Sequence, residues 1–216
     1  CVLPLQNGVE SAEQLSAILG QEHVLGGLCK LVSFVVEPGF IKHTGFDPMV
    51  AFNELNNRVS ARVERLSDSF SKAGVIVQVP GDIQSAIWNK FLFIAPFSGV
   101  GAVTRAPAGV LIAFPETRAM LDGAMTEIVN IARASQVGLA GDSVQKAVAS
   151  LQALPENATA SMQRDIIAGR PSELDSQNGA VVRIGRRLGV PTPVNEMIYY
   201  SLLPQELRAR GTISFS

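Results

Sequence analysis

The pattern of apolar residues changes at Pro80, and this change limits the folds open to the chain. Before it, runs rich in β-branched residues, such as residues 24–36, alternate with helical periodicity, as at residues 58–73. After it, helical periodicity continues while strand signals nearly vanish. The sequence therefore predicts a mixed α/β segment over residues 1–80, an all-helical domain over residues 81–204, and a loose tail at residues 205–216.

The first segment carries an ordered series of strand, turn and helix signals. Residues 2–5 are typical of the end of a strand, and Gln6-Asn7-Gly8 is typical of a turn. Ser11 then begins a predicted helix over residues 11–19, and Pro38-Gly39 ends the strand pattern of residues 24–36. Two further short strands are predicted, at residues 40–44 and 49–52. This order is typical of the last part of an open α/β sheet.

Composition excludes several classes of function. The 216 residues are 47% hydrophobic and 17% charged with a net charge of −1, a soluble globular balance that favours neither nucleic acid nor an anionic membrane. We expect no apolar run long enough to span a bilayer. Cys1 and Cys29 are too few for a disulfide framework, which indicates a reducing cytoplasm. His23 and His43 are isolated, so no metal site is predicted.

One run of glycines could belong either to a dinucleotide-binding loop or to a junction between helices. Gly99-Val100-Gly101 has the spacing of the first two glycines of a dinucleotide fingerprint, but Thr104 stands where the third would fall. The run also follows a predicted helix over residues 83–96, whereas the fingerprint follows a strand. The sequence therefore predicts a helix–helix junction here.

Three features could carry chemistry. Asn7 stands in a turn after a strand, where open sheets bind ligands, although an ordinary Asn-Gly turn explains it as well. Lys90 stands in an apolar helix, where it either extends to water or serves as a general acid. Glu173 falls in the first turn of a helix after Gly169 and Pro171, where the helix dipole favours an anion at a site or on the surface.

These features belong to a series of motifs that runs through nearly the whole chain. The motifs are Gln6-Asn7-Gly8, Pro38-Gly39-Phe40-Ile41-Lys42-His43-Thr44-Gly45, Ile87-Trp88-Asn89-Lys90, Ser161-Met162-Gln163-Arg164-Asp165, Gly169-Arg170-Pro171-Ser172-Glu173-Leu174-Asp175, Asn178-Gly179 and Gly189-Val190-Pro191-Thr192-Pro193-Val194-Asn195. In this order and spacing they resemble the ketopantoate reductase (2-dehydropantoate 2-reductase) family.

The resemblance implies a two-domain oxidoreductase. Its Rossmann-type domain would bind NADP(H), and its all-α helical domain would be similar to the carboxy-terminal domain of 6-phosphogluconate dehydrogenase. It implies that Lys90 and Glu173 are catalytic, that Asn7 and Glu173 contact the cofactor, and that Ser161 and Asn7 bind the substrate. Glu127 matches a further acidic residue near the substrate. The implied reaction reduces ketopantoate to pantoate, on the route to pantothenate and coenzyme A.

The chain also departs from the family. Ile94 stands at a substrate-binding position, one helical turn after Lys90, where asparagine is typical, and Ala108 replaces another asparagine. Ile94 leaves open a reductase of a different 2-oxoacid. Because the chain opens at Cys1, we expect a fragment that lacks the glycine-rich loop, binds NADPH weakly and is inactive by itself. A non-catalytic helical binding or dimerisation fragment, and a dehydrogenase of the 6-phosphogluconate or 3-hydroxyacid type, remain alternatives. A homodimer is a further expectation.

Overall fold

The computed structural model describes residues 1–215, with every side chain there except that of Phe46. Two long antiparallel strands dominate the first part of the chain. A third, short strand pairs parallel to the second, which gives the sheet order β1-β2-β3. The strands are β1 (Leu25–Glu37), β2 (Phe40–Glu54) and β3 (Ile76–Gln78). The helices of this part are α1 (Ser11–Leu19) and α2 (Ala61–Lys72), with a 3₁₀ turn at Gln21–His23.

The turn predicted at Pro38-Gly39 joins β1 to β2, and Gly39 has a φ of 84°, which favours glycine. The separation of residues 40–44 from residues 49–52 is wrong, because β2 runs through both. Lys30 pairs with Met49 and Val32 with Thr44, so β2 bulges between the two pairings while the ladder continues. Gly45, with a φ of 84°, lies in this bulge.

The chain divides into two compact units. The α/β unit contains Cys1–Gln6 and Glu10–Ile87, and the helical unit contains Asn7–Val9 and the residues from Trp88 onward. The α/β unit buries a small core of Leu25, Val50, Phe52 and Val63. The division falls inside a helix, whereas the sequence texture changes at residue 80.

The helical unit contains the remaining helices of the described residues, except for the first residues of α3, Ile83 to Ile87, which belong to the α/β unit. They are α3 (Ile83–Thr104), α4 (Ala108–Ala113), α5 (Pro115–Ala134), α6 (Ser143–Gln152), α7 (Ser161–Ile167), α8 (Ala180–Leu188) and α9 (Pro193–Ala209), with a π-helical turn at Asp175–Gly179. Their apolar faces share one core, which includes Phe91, Met125, Ile128 and Met162. The prediction that helices replace strands in this part is confirmed by these elements.

The junction predicted at Gly99-Val100-Gly101 is wrong, because α3 continues through it to Thr104. A Cβ on Gly99 would lie 2.7 Å from the side chain of Asn178, and one on Gly101 would lie 2.7 Å from that of Gln163. These glycines therefore permit close packing within a continuous helix.

The expectation that no apolar run could span a bilayer is also wrong for α3. By length and composition this helix is long and apolar enough to cross a membrane, with a mean hydropathy of 1.3. However, 67% of that stretch is buried inside the protein, as in the core helix of a soluble protein.

The loose tail predicted from residue 205 does not begin there, because α9 continues past Pro204 to Ala209. Glu206 is 3% exposed and accepts hydrogen bonds from Ser172 and Arg210, which hold this last turn in place.

The α/β unit offers a test through Glu54 and Arg62. Arg62 Nε donates to Glu54 Oε1 at 2.7 Å, and this bond, outweighing burial, lowers the pKa of Glu54. A lowered pKa means that the carboxylate stabilises the fold above its ordinary pKa and ceases to do so as pH falls through the folded-state pKa.

We expect Glu54→Gln to reduce the free energy of unfolding by roughly 1 kcal/mol at pH 7, and the difference from wild type to shrink below about pH 4. Urea unfolding across pH measures it. Glu64→Gln, an exposed acid in the first turn of α2, is the matched control. A difference that persists at low pH would contradict the assignment.

Candidate functional site

Asn7 and Glu173, which lie 166 positions apart in the sequence, meet inside the helical unit. Asn7 Nδ2 donates to Glu173 Oε2 at 2.9 Å, and both residues are half-buried. Glu173 lies between α7 and the π-helical turn, and its carbonyl oxygen accepts from Gln177 N at 3.0 Å. Two of the predicted site residues are therefore in direct contact.

Gly8 explains how Asn7 reaches this position. Its φ is 117°, and a Cβ there would lie 2.9 Å from the carbonyl oxygen of Ser176. Only glycine combines this backbone conformation with so close an approach. The Asn7-Gly8 turn therefore packs directly on the π-helical turn.

Gln177 joins the same cluster, although the sequence did not single it out. Its Nε2 donates to Glu173 Oε2 at 2.9 Å, so this one oxygen accepts from both amides. Gln177 is fully buried, and its Oε1 has no hydrogen-bond partner within residues 1–215. The four-residue spacing from Glu173 is the only signal that could have indicated the contact.

The predicted residues Lys90 and Ile94 lie on α3 and are both half-buried. Because a helix brings positions four apart onto one face, Lys90, Ile94 and Ser98 form one stripe. Ser98 is fully buried, and its Oγ lacks a partner within the described chain. Gly99 brings α3 against Asn178, which is next to Gln177.

Ser161 is exposed and is the first residue of α7. Four residues later, Asp165 accepts a 2.7 Å hydrogen bond from Arg170 and forms an ion pair with it. Contact between Ser161 and a substrate stays a prediction.

Glu127 lies on α5, and its side chain contacts the beginning of α9. Its carboxylate is 7% exposed and accepts from Val194 N at 2.7 Å, Asn195 N at 3.0 Å and Asn195 Nδ2 at 2.7 Å. Asn178 Nδ2 in turn donates to Asn195 Oδ1 at 3.0 Å. Glu127 thus caps the helix through otherwise unpaired amides, a role that the sequence did not predict. Its contact with substrate stays a prediction.

Ser172, next to Glu173, is fixed by Glu206. The Glu206 carboxylate accepts from Ser172 N at 3.0 and 3.1 Å and from Ser172 Oγ. Ser172 Oγ accepts from Leu174 N at 3.1 Å. The backbone on both sides of Glu173 is therefore held by buried hydrogen bonds.

Tyr199 lies beside the π-helical turn and donates to Asp175 at 3.0 Å. Burial and this hydrogen bond raise the pKa of Tyr199, so its hydroxyl stays protonated at neutral pH. Within residues 1–215, no group of three or more His, Cys, Asp or Glu side chains is arranged to hold a metal ion.

Two family descriptions match the chain. "Ketopantoate reductase PanE/ApbA C terminal" matches residues 82–206, and "Ketopantoate reductase PanE/ApbA" matches residues 1–57.

Among curated relatives, the "Uncharacterized oxidoreductase YkpB" of Bacillus subtilis is 30% identical over 201 residues, which is 93% of this chain and 66% of the relative. The "2-dehydropantoate 2-reductase" of Nostoc sp. is 27% identical over 93% of this chain and 64% of its own length. The chain thus spans slightly less than two thirds of these relatives.

Among solved structures, a PanE/ApbA family ketopantoate reductase from Ralstonia eutropha is similar with a TM-score of 0.86 and 28% identity, over 97% of this chain and 67% of that one. This similarity confirms the predicted fold class, part of a Rossmann-type α/β domain followed by an all-α domain.

The capping role of Glu127 can be tested by Glu127→Gln. We expect a loss of about 2 kcal/mol in the free energy of unfolding, because the charged acceptor for three buried donors is removed. Urea unfolding measures this loss, with Glu196→Gln as control, since Glu196 lies in the turn of α9 that Glu127 caps but pairs with Arg186 at the surface. Equal stability of the two variants would refute the role.

Proposed function

The chain belongs to the ketopantoate reductase family, and we propose on this premise that the protein reduces the keto group of a 2-oxoacid with a nicotinamide cofactor. The proposed substrate is 2-dehydropantoate and the proposed product is pantoate, on the route to pantothenate and coenzyme A. The observation that carries the proposal is the 2.9 Å hydrogen bond between Asn7 and Glu173, which joins two residues that the resemblance assigns to one site.

The polar groups at this contact fit a nicotinamide cofactor, with NADP(H) proposed over NAD(H). Asn7 and Glu173 are half-buried and together present an amide and a carboxylate, which suit the polar groups of a nicotinamide nucleotide. The bound cofactor would supply the hydride. The 216 residues contain no G-x-G-x-x-G run, and Gly99-Val100-Gly101 lies inside α3, so we propose that the chain by itself binds NADPH weakly and is inactive.

Lys90 is proposed to be the general acid. As the hydride adds to the keto carbon, the π electron pair of the carbonyl group moves onto oxygen, and the Lys90 ammonium gives this oxygen a proton. The product is a hydroxyl group and a neutral amine, which recovers its proton from solvent. Because negative charge grows on oxygen during the step, a cation stabilises the transition state more than the substrate. Glu173 would keep Lys90 charged and oriented.

Ser161 and Asn7 are proposed to bind the substrate. Ser161 would contact the carboxylate of the 2-oxoacid. Ile94 supports a second candidate, the reduction of a more apolar 2-oxoacid, because its half-buried side chain follows Lys90 on the same face of α3. Ala108 likewise offers no hydrogen bond. We also propose a cytoplasmic protein that acts on small molecules and forms homodimers.

We expect Lys90→Ala in the full-length protein to lower kcat by about 10² to 10⁴, the usual contribution of a general acid. NADPH oxidation with a panel of 2-oxoacids that includes ketopantoate measures it. Lys146→Ala is the matched control, because Lys146 is exposed on α6 and pairs with Asp142. An active Lys90→Ala variant would remove Lys90 from the mechanism, and a wild-type protein inactive on every 2-oxoacid would favour a non-catalytic binding function.

Ile94→Asn tests the choice of substrate. We expect kcat/KM for ketopantoate to rise about tenfold relative to an apolar 2-oxoacid, since one added hydrogen bond corresponds to about 1 kcal/mol or more. Ile112→Asn, at a partly buried isoleucine of α4, is the control for a new polar group elsewhere. An unchanged ratio would mean that position 94 does not select the substrate.

A further inference from the structure

The orientation of Gln177 in the site is fixed by charge. A carboxylate oxygen only accepts hydrogen bonds, so the group that faces Glu173 Oε2 at 2.9 Å must be the Gln177 NH₂ group. Asn7 donates to the same oxygen at 2.9 Å. Gln177 Oε1 therefore makes no bond to Glu173, and Glu173 Oε1 receives neither of these two amide bonds.

The free end of Gln177 has no structural explanation. The residue is 0% exposed, and Oε1 is buried with no hydrogen-bond partner within residues 1–215. A buried acceptor without a donor destabilises the fold, and an apolar side chain of the same length would avoid that cost.

Gln163 shows how a structural glutamine behaves in the same unit. It is also 0% exposed, but its Oε1 accepts from Ala160 N at 3.3 Å and its Nε2 donates to Ala106 O at 3.0 Å. Both ends of Gln163 are satisfied by the backbone. The contrast indicates that Gln177 serves the site as well as the fold.

We propose that Gln177 is a further ligand-binding residue of the reductase site. Its Nε2 holds Glu173 Oε2, and its Oε1 accepts a hydrogen bond from an N–H or O–H group of the bound substrate or cofactor. This inference rests on the proposed function. It also gives the two oxygens of Glu173 separate tasks, because Asn7 and Gln177 together occupy Oε2 and leave Oε1 for the reacting groups.

The test is Gln177→Met in the full-length protein, since methionine keeps the length of the side chain and removes both polar groups. We expect a melting temperature equal to or above that of wild type, and a loss of about tenfold in kcat/KM, the equivalent of one hydrogen bond to a ligand. A raised KM for the 2-oxoacid identifies the substrate as the donor, and a raised KM for NADPH identifies the cofactor.

Gln177→Glu adds a second measurement, the pH profile of kcat/KM, which a substitution at a purely structural residue would leave unchanged. A second carboxylate beside Glu173 disfavours the ionised state of the pair, so the acid limb of the kcat/KM profile should shift to higher pH. Gln163→Leu, which removes a fully satisfied glutamine, should lower the melting temperature and calibrates a structural loss.

Wild-type kcat/KM and an unshifted pH profile in the Gln177 variants, with the wild-type protein active, would overturn the proposal. A fall in melting temperature like that of Gln163→Leu, with a normal profile, would overturn it as well. If wild-type protein neither turns over a 2-oxoacid nor is stabilised by NADP⁺ and pantoate in a thermal melt, the proposed function fails and this inference fails with it.

Discussion

The hydrogen bonds that hold residues 172–178 determine where every polar group around Glu173 lies. Glu206 fixes Ser172, Asn7 and Gln177 fix the Glu173 carboxylate, and Asn195 fixes Asn178. Apart from Gln177, these partners come from distant parts of the sequence. A short segment between two helices is thereby as constrained as a helix interior, and such rigidity is required of a carboxylate that must orient other groups.

Two buried carboxylates, those of Glu206 and Glu127, support residues 172–178. The desolvation cost of each carboxylate is offset by several hydrogen-bond donors. Glu206 accepts hydrogen bonds from the amide and hydroxyl groups of Ser172 and from the Arg210 side chain. Glu127 accepts hydrogen bonds from the first backbone amides of α9 and from the Asn195 side chain. A carboxylate without such donors would carry a large desolvation cost. Because α9 supplies both Asn195 and Glu206, that helix links the support of Asn178 to the support of Glu173.

Similarity of motifs was sufficient to predict that Asn7 and Glu173 belong together, and it identified the fold class. It could not predict Gln177, because every helix contains many pairs spaced four residues apart, and the spacing alone does not show which of them form a hydrogen bond. Local signals were wrong where packing outweighed them. Gly99 permits contact with Asn178 and does not interrupt α3, and Pro204 is tolerated in α9, where Glu206 holds the following turn.

Three of the four buried side-chain polar atoms without a partner in the described helical unit fall on or near the π-helical turn, and the fourth, Ser143 Oγ, lies on α6. Gln177 Oε1 and Asn178 Oδ1 belong to the π-helical turn, and Ser98 Oγ lies beside Gly99, which contacts Asn178. Folding stability alone would replace such groups with apolar ones, since each buried acceptor without a donor weakens the fold. Gln177 and Asn178 follow Glu173 in a π-helical turn, an element that often marks functional sites, and their unpaired acceptors fit the polar-ligand site that we propose. The residues that weaken the helical unit are therefore the ones at which we propose that its ligand binds.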